Sequence, residues 1–146
     1  MLPLDPVVVH VPPPVAAQVT DTEPIVDGTA LVAMQRAVEQ VHVAESIGYY
    51  VVDIVAATRA SPSVQVGSSP RGSLAVRKLA RCKAVRDGRD YVTPEDVKFV
   101  AVPALAHRLS LRPELWVQRI RPEDIVAERL ETVPTPRAED VSPSAR

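Results

Sequence analysis

Cysteine and histidine are scarce in this chain, and their scarcity excludes two kinds of stabilising site. Cys82 is the single cysteine, so an internal disulfide has no second partner. The three histidines, His10, His42 and His107, lie far apart and lack the spacing of a zinc site. We therefore expect neither a disulfide nor a bound metal, which fits a reducing compartment.

Glycine-rich motifs and long hydrophobic runs are also missing. The five glycines form no Gly-x4-Gly-Lys-Ser/Thr phosphate loop, and the sequence contains no Gly-x-Gly-x-x-Gly, Gly-x-Ser-x-Gly or His-Glu-x-x-His. No apolar run approaches the roughly 20 residues of a membrane span. The N-terminus lacks the basic and apolar regions of a signal peptide. These absences predict a cytoplasmic chain that holds no nucleotide by itself and contacts no membrane.

Proline is abundant and unevenly distributed, which sets the predicted domain boundaries. Six of the 15 prolines fall in the first 25 residues, a density that helices and central strands do not tolerate. Three more follow Val133. We predict a disordered arm or linker at 1–26, one helical domain at 27–133 and a disordered tail at 134–146.

Charge is balanced overall but segregated along the chain. The net charge of −1 comes from 17 basic and 18 acidic residues, so no overall field would concentrate the chain on nucleic acid. Residues 1–27 carry four acids and no lysine or arginine, whereas 71–90 carry seven basic and two acidic residues. The sequence thus predicts an acidic N-terminal arm and, further along the chain, a helix with a basic face.

Apolar residues recur every three and four positions, which predicts an all-α fold: a small bundle of four or five helices with short extended segments. Thr93, Pro94 and the acids after them form a strong helix start, with a cap, a proline at the first position and negative charge in the first turn. Pro103 should kink that helix. The predicted helices begin near Asp27, at about Ala44, at Ser69 to Arg71, at Thr93 and at about Pro122.

The same periodicity predicts which side chains face the core. They are Leu31, Met34, Ala37, Val38 and Val41 on the first helix; Ile47, Val51, Ile54, Val55 and Thr58 on the second; Ala75, Val76, Leu79, Cys82 and Val85 on the third; and Val97, Val100, Ala101, Ala104, Leu105 and Leu109 on the fourth.

Four stretches, in a fixed order, carry a resemblance to a known family. They are Tyr-Tyr-Val-Val-Asp-Ile-Val-Ala-Ala-Thr-Arg at 49–59, Val-Gly-Ser-Ser-Pro-Arg-Gly-Ser-Leu-Ala at 66–75, Asp-Gly-Arg-Asp-Tyr-Val-Thr-Pro-Glu-Asp-Val at 87–97 and Ala-His-Arg-Leu at 106–109. This series resembles the C-terminal helical lid of MoxR-type AAA+ ATPases. The similarity extends more weakly from about Glu23 to about Leu130. The nucleotide-binding α/β domain that precedes the lid in that family is not in this sequence.

The resemblance implies a role for one residue, Arg71, and no catalytic residue. Arg71 matches the arginine of the Gly-x-Ser-Pro-Arg motif, the sensor 2 residue that contacts the γ-phosphate of ATP held by the core domain. ATP and Mg²⁺ would act only where a core domain supplies them, and the chain alone should not hydrolyse ATP. The implied partners are an AAA+ core or full-length MoxR-type ATPase and von Willebrand factor A domain proteins, which such ATPases remodel in a chaperone-like way.

Two other functions stay open. The acidic, proline-rich arm fits a stand-alone helical adaptor that regulates an ATPase. The basic helix face could bind nucleic acid, although charged helix exteriors are usually only solvated; its members are Arg77, Lys78, Arg81, Lys83 and Arg86.

Plainer interpretations apply to individual residues as well. Arg71 could merely be solvated at a helix start. Cys82 reads as a small buried hydrophobic residue. His107 reads as a hydrogen-bonded packing residue, and Trp116 as either an anchor of the last helix or an exposed contact.

Overall fold

The structure is a computed structural model that describes residues 25–114 and 119–137 of the chain. These residues include five α-helices, a short 3-10 helix and a two-stranded sheet, so the all-α prediction is confirmed. In chain order the elements are α1 (Gly28–Gln40), α2 (Glu45–Ala60), β1 (Val64–Val66), α3 (Pro70–Arg86), α4 (Pro94–Leu105), the 3-10 helix (Ala106–Arg108), β2 (Ser110–Leu111) and α5 (Pro122–Thr132).

Helix starts follow the local chemistry of the sequence. The Asp27 side chain accepts a hydrogen bond from the Ala30 amide and caps α1. Thr93 and Asp96 form a reciprocal capping box at the start of α4, with Pro94 in the first turn. Pro70 likewise occupies the first turn of α3, where its missing N–H leaves no bond unmade. The predicted starts of α3 and α4 are confirmed.

The core lies between α2, α3, α4 and α5. All five inward residues predicted for α2 are buried, and Tyr50 joins them. Burying one side chain of the size of Ile54 contributes about 1.5–3 kcal/mol, so the α2 stripe is a main source of stability. On α4 the predicted positions Val97 to Leu105 are buried as well.

Two linkers are tied together across the bundle. The backbone of His42, between α1 and α2, donates to the Asp90 carbonyl at 2.8 Å and accepts from the Val92 amide at 3.0 Å. His42 and Tyr91 thereby form an isolated parallel bridge. The linker between α3 and α4 is thus held against the linker between α1 and α2.

The prediction that the α1 stripe is buried is wrong. No residue of α1 is buried, and Leu31 and Met34 are about half exposed, at 50% and 52%. Val41, just after the helix, is the member of the predicted stripe that reaches the core. Helix α1 packs chiefly on α3, so one neighbour is not enough to cover its apolar side.

The predicted inner face of α3 is confirmed at Val76 and wrong at Leu79, Cys82 and Val85, because the buried side is rotated about the helix axis. Its buried residues are Gly72, Val76, Ala80 and Ala84, whereas Leu79, Cys82 and Val85 are exposed. Small residues line the side that faces α4 and allow the two helices to approach closely. Size, rather than hydrophobicity, therefore selects the buried side.

The α4 region differs from the prediction in its last turn. Helix α4 continues past Pro103 to Leu105, and the chain then forms the 3-10 helix. Leu109 is buried as predicted, but it lies beyond α4. Strand β1 pairs antiparallel with β2, and Val64 lies opposite Leu111. The sequence predicted an extended segment at β1 but did not predict β2.

The domain boundaries at 27 and 133 stay a prediction. Residues 1–24 of the predicted arm and residues 138–146 of the predicted tail lie outside the described residues. Within the ranges that the structure describes, no helix is both long and apolar enough to cross a membrane.

Candidate functional site

Arg71 lies in the first turn of α3, directly after Pro70. Its side chain is exposed. Among the residues described, it makes no hydrogen bond and no ion pair, unlike Arg81 or Arg89. Its guanidinium, which is permanently charged and carries five N–H donors, is therefore available to an anionic group.

The loop before Arg71 is fixed by the last turn of α2. The Ser68 amide donates to Thr58 Oγ1 at 3.1 Å, and the Thr58 hydroxyl donates in turn to the Val55 carbonyl at 2.7 Å. Arg59 Nη1 donates to the Ser68 carbonyl at 2.8 Å. Both backbone groups of Ser68 are thus satisfied by α2 side chains, which holds the start of α3 in place.

Two glycines allow the loop to pack this closely. A Cβ on Gly67 would lie 2.7 Å from Cα and 2.8 Å from the backbone nitrogen of Arg59, which is too close for any side chain. A Cβ on Gly72 would clash with Ser68 Oγ and would lie 3.0 Å from Leu105 Cδ2. The loop that precedes Arg71 is therefore pressed against α2 on one side, and the first turn of α3 against Leu105 on the other.

The basic face of α3 is partly neutralised by two carboxylates. Glu39 of α1 lies 2.9 Å from Arg81 and 3.6 Å from Lys78. Asp87 pairs with Lys83 and lies 3.7 Å from Arg86. Such compensation weakens the field that nucleic-acid phosphates would meet, so the face argues against that function.

A buried ion pair links the α3–α4 turn to α4, and the sequence did not predict it. Arg89 Nη1 and Nη2 each lie 2.6 Å from a carboxylate oxygen of Asp96, whose side chain is 2% exposed. Burial would raise the pKa of Asp96, but hydrogen bonds from Arg89 and Thr93 outweigh it and hold that pKa below its usual range. The hydrogen bond to Asp96 raises the pKa of Arg89. We assign this ion pair a structural role, separate from the role predicted for Arg71.

The other residues singled out from the sequence do not gather around Arg71. Cys82 is exposed and lines an open groove of about 860 Å³ between α1 and α3, so the prediction that it is buried is wrong. His107 is exposed, with Nδ1 3.1 Å from the Pro103 carbonyl oxygen, which makes it hydrogen-bonded but not packed. His10 and Trp116 lie outside the described residues. In 25–114 and 119–137, no three His, Cys, Asp or Glu side chains cluster as metal ligands would.

Comparison with known proteins decides the family. The family described as "AAA lid domain" matches residues 56–129, which include the Ser68 loop, Arg71 and the buried ion pair. The chain belongs to this family. Its relatives include proteins named MoxR1 and MoxR, so it is a lid domain of the MoxR type.

Three relatives illustrate the match. The chain is 42% identical over 114 residues to the uncharacterized protein YeaC of Bacillus subtilis, covering 78% of this chain and 36% of that protein. It is 34% identical over 140 residues to Chaperone MoxR1 of Mycobacterium tuberculosis, covering 90% and 36%. A crystal structure of an ATPase candidate from Cytophaga hutchinsonii superposes with a TM-score of 0.66 at 28% identity, covering 70% and 34%. The chain therefore spans about a third of the length of these proteins.

Proposed function

We propose that this lid domain works as part of a MoxR-type AAA+ ATPase and that Arg71 is its sensor 2 arginine. The observation that carries the proposal is an unpaired, exposed guanidinium in the first turn of α3, preceded by a loop that α2 holds at both backbone groups of Ser68. It lies inside the range that matches the lid family.

The chemistry of this arrangement suits a terminal phosphate. An arginine contacts phosphate oxygens through two N–H donors at once, and the positive end of α3 adds to the attraction. The sequence of this chain carries no phosphate-binding loop, so ATP and Mg²⁺ would be held by a core domain. Bound there, they would supply the phosphoryl chemistry, while Arg71 would sense whether the γ-phosphate is present.

The wider activity follows from the family resemblance. One relative is named a chaperone. We propose that the lid contributes to ATP-driven, chaperone-like remodelling of client proteins in the cytoplasm, with von Willebrand factor A domain proteins as the client class.

A graft tests the assignment. The third of Chaperone MoxR1 that matches this chain is replaced by the chain itself, and ATP hydrolysis is measured at saturating ATP for the parent and the graft. We expect hydrolysis in the graft and a loss of at least about tenfold in Arg71→Ala, because a charged hydrogen bond to phosphate is worth about 1.5–3 kcal/mol. Arg71→Lys should retain part of the rate.

The matched control is Arg36→Ala, which removes an exposed positive charge from α1 and should leave the rate unchanged. A folded graft that hydrolyses no ATP, or an Arg71→Ala graft with the parent rate, contradicts the assignment. Calorimetry on the isolated chain should show no micromolar ATP binding, and finding it would also count against the proposal.

One observation favours the second candidate, a helical adaptor. The half-exposed Val32 and Leu79 line the groove between α1 and α3, an apolar surface of a kind that commonly binds another protein. The acidic, proline-rich arm is the other feature that fits an adaptor. If the arm makes the contact, deleting residues 1–26 should abolish capture of a full-length MoxR relative, and unchanged capture would exclude a role of the arm in binding.

A further inference from the structure

Arg59 lies in the last turn of α2 and contacts the loop that precedes Arg71. Its side chain forms no ion pair with any acid in the described part of the chain; instead Nη1 donates to the Ser68 carbonyl at 2.8 Å. Its aliphatic stem and backbone lie against Gly67, within about 3 Å of where a Cβ would be. The charged group of this exposed arginine therefore contacts one neutral carbonyl of the loop.

Few rotatable bonds separate that carbonyl from Arg71. Ser69 is extended, with φ −76° and ψ 168°, and the ring of Pro70 fixes the next φ. The Gly72 amide donates to the Ser69 carbonyl at 2.8 Å, which closes the first turn around Arg71. Because this segment is stiff, a shift of the Ser68 peptide moves the Arg71 backbone with it.

Thr58 and Arg59 hold different ends of the same residue. Thr58 is fully buried, and its bond to the Ser68 amide belongs to the core. Arg59 is largely exposed, so its removal leaves the core intact and frees only the Ser68 carbonyl. A substitution at Arg59 should therefore change the orientation of the loop without lowering the stability of the fold.

We propose that Arg59 is a positioning residue that sets the direction of Arg71 toward the phosphate, an inference that rests on the proposed function. The plainer alternative is that Arg59 only stabilises the C-terminal end of α2 through its charge. The two ideas differ in one respect: positioning acts through Arg71, whereas a charge effect on α2 is independent of Arg71.

A double-mutant cycle in the MoxR1 graft separates them. Arg59→Met keeps the stem that packs on Gly67 but removes the donor. We expect it to lower ATP hydrolysis about fivefold, the effect of one lost hydrogen bond. Arg59→Lys, which retains a charged donor, should restore part of the rate. Adding Arg59→Met to Arg71→Ala should cause no further loss, and an additive loss would overturn the proposal.

A spectroscopic readout in the full chain needs no nucleotide. In ¹⁵N-labelled protein, Arg59→Met should shift the amide signals of Arg71 and Gly72, while Arg36→Met should not. The melting temperatures of both variants should stay close to that of the parent. Unchanged signals at Arg71 would overturn the proposal.

The outcomes distinguish the two levels of inference. If Arg71→Ala lowers hydrolysis but Arg59→Met does not, Arg71 remains the sensor and the positioning role is wrong. If Arg71→Ala has no effect, the proposed function fails, and the positioning role fails with it.

Discussion

Removing the buried carboxylate of Asp96 should cost this lid a large part of its stability. Asp96 is 2% exposed and accepts two bonds of 2.6 Å from Arg89 and one of 2.9 Å from the Thr93 amide. Breaking a buried ion pair costs about 3–5 kcal/mol. The Arg89 side chain is 26% exposed, so water can solvate it once it is left alone. We therefore take the lower end and expect Asp96→Ala to lose about 3 kcal/mol.

This loss is large against a typical unfolding free energy of about 5–15 kcal/mol. With an unfolding entropy of about 2.1 cal/mol/K per residue, it corresponds in a domain of about 110 residues to a fall in melting temperature of about 13 °C. Urea unfolding followed by circular dichroism measures the free energy directly, and equal slopes for parent and variant would show that both unfold in the same way.

Asp87→Ala is the matched control. Asp87 also lies 3.0 Å from Arg89, but it is on the exposed side of the turn. Exposed pairs contribute about 0–1 kcal/mol, so this variant should lose no more than that. A loss below about 1 kcal/mol for Asp96→Ala, or equal losses for the two variants, would refute the reasoning from burial.

The same pair makes the stability of the fold depend on pH in acid. The pKa of Asp96 is lower in the folded than in the unfolded chain, so the stability it contributes is fully present above its unfolded pKa of about 4. That stability is lost as the pH falls through the folded pKa. Asp96→Asn should therefore show a flatter dependence of unfolding free energy on pH below about pH 4.

Further predictions concern two helical glycines and the cysteine. Gly48→Ala should stabilise the chain by about 0.5–1 kcal/mol, because a Cβ there meets nothing within 4 Å and alanine favours α2. Gly72→Ala should instead destabilise it, because the Cβ would clash with Ser68; a gain in melting temperature would contradict the close packing. Cys82, being exposed, should react with a thiol reagent in the native chain at about the rate seen in denaturant. A thiol protected until unfolding would show that the groove between α1 and α3 is covered.

Local signals in the sequence predicted the parts of the fold that depend on near neighbours. The α2 stripe repeats strongly branched residues at three and four positions, and all of it is buried. Thr93 and Pro94 sit where the capping chemistry requires them. These features need no knowledge of the rest of the chain.

Features that depend on distant partners could not be predicted. Helix α3 is apolar on more than one side, and only the closeness of α4 selects Gly72, Ala80 and Ala84 over Leu79 and Cys82. Periodicity cannot report that distance.

The candidate site divides in the same way. The position of Arg71 at a helix start follows from Ser69 and Pro70 before it. The bonds that Thr58 and Arg59 make to Ser68 join residues 9 and 10 positions apart through a loop, and no spacing rule predicts them. A Thr-Arg pair at the end of a helix, followed by Gly-Ser within ten residues, is the signal that could have suggested them.

Helix α1 contributes nothing to the buried interior, since none of its residues is buried and it packs chiefly on α3. An element held so lightly opens at a much smaller free energy than the global unfolding of the chain. We therefore expect α1 to melt as a separate unit, with amide protons that exchange long before those of α2 and α4. The other four helices would keep their packing while α1 detaches and returns. The side of α3 that α1 covers would then be exposed part of the time, without global unfolding of the domain.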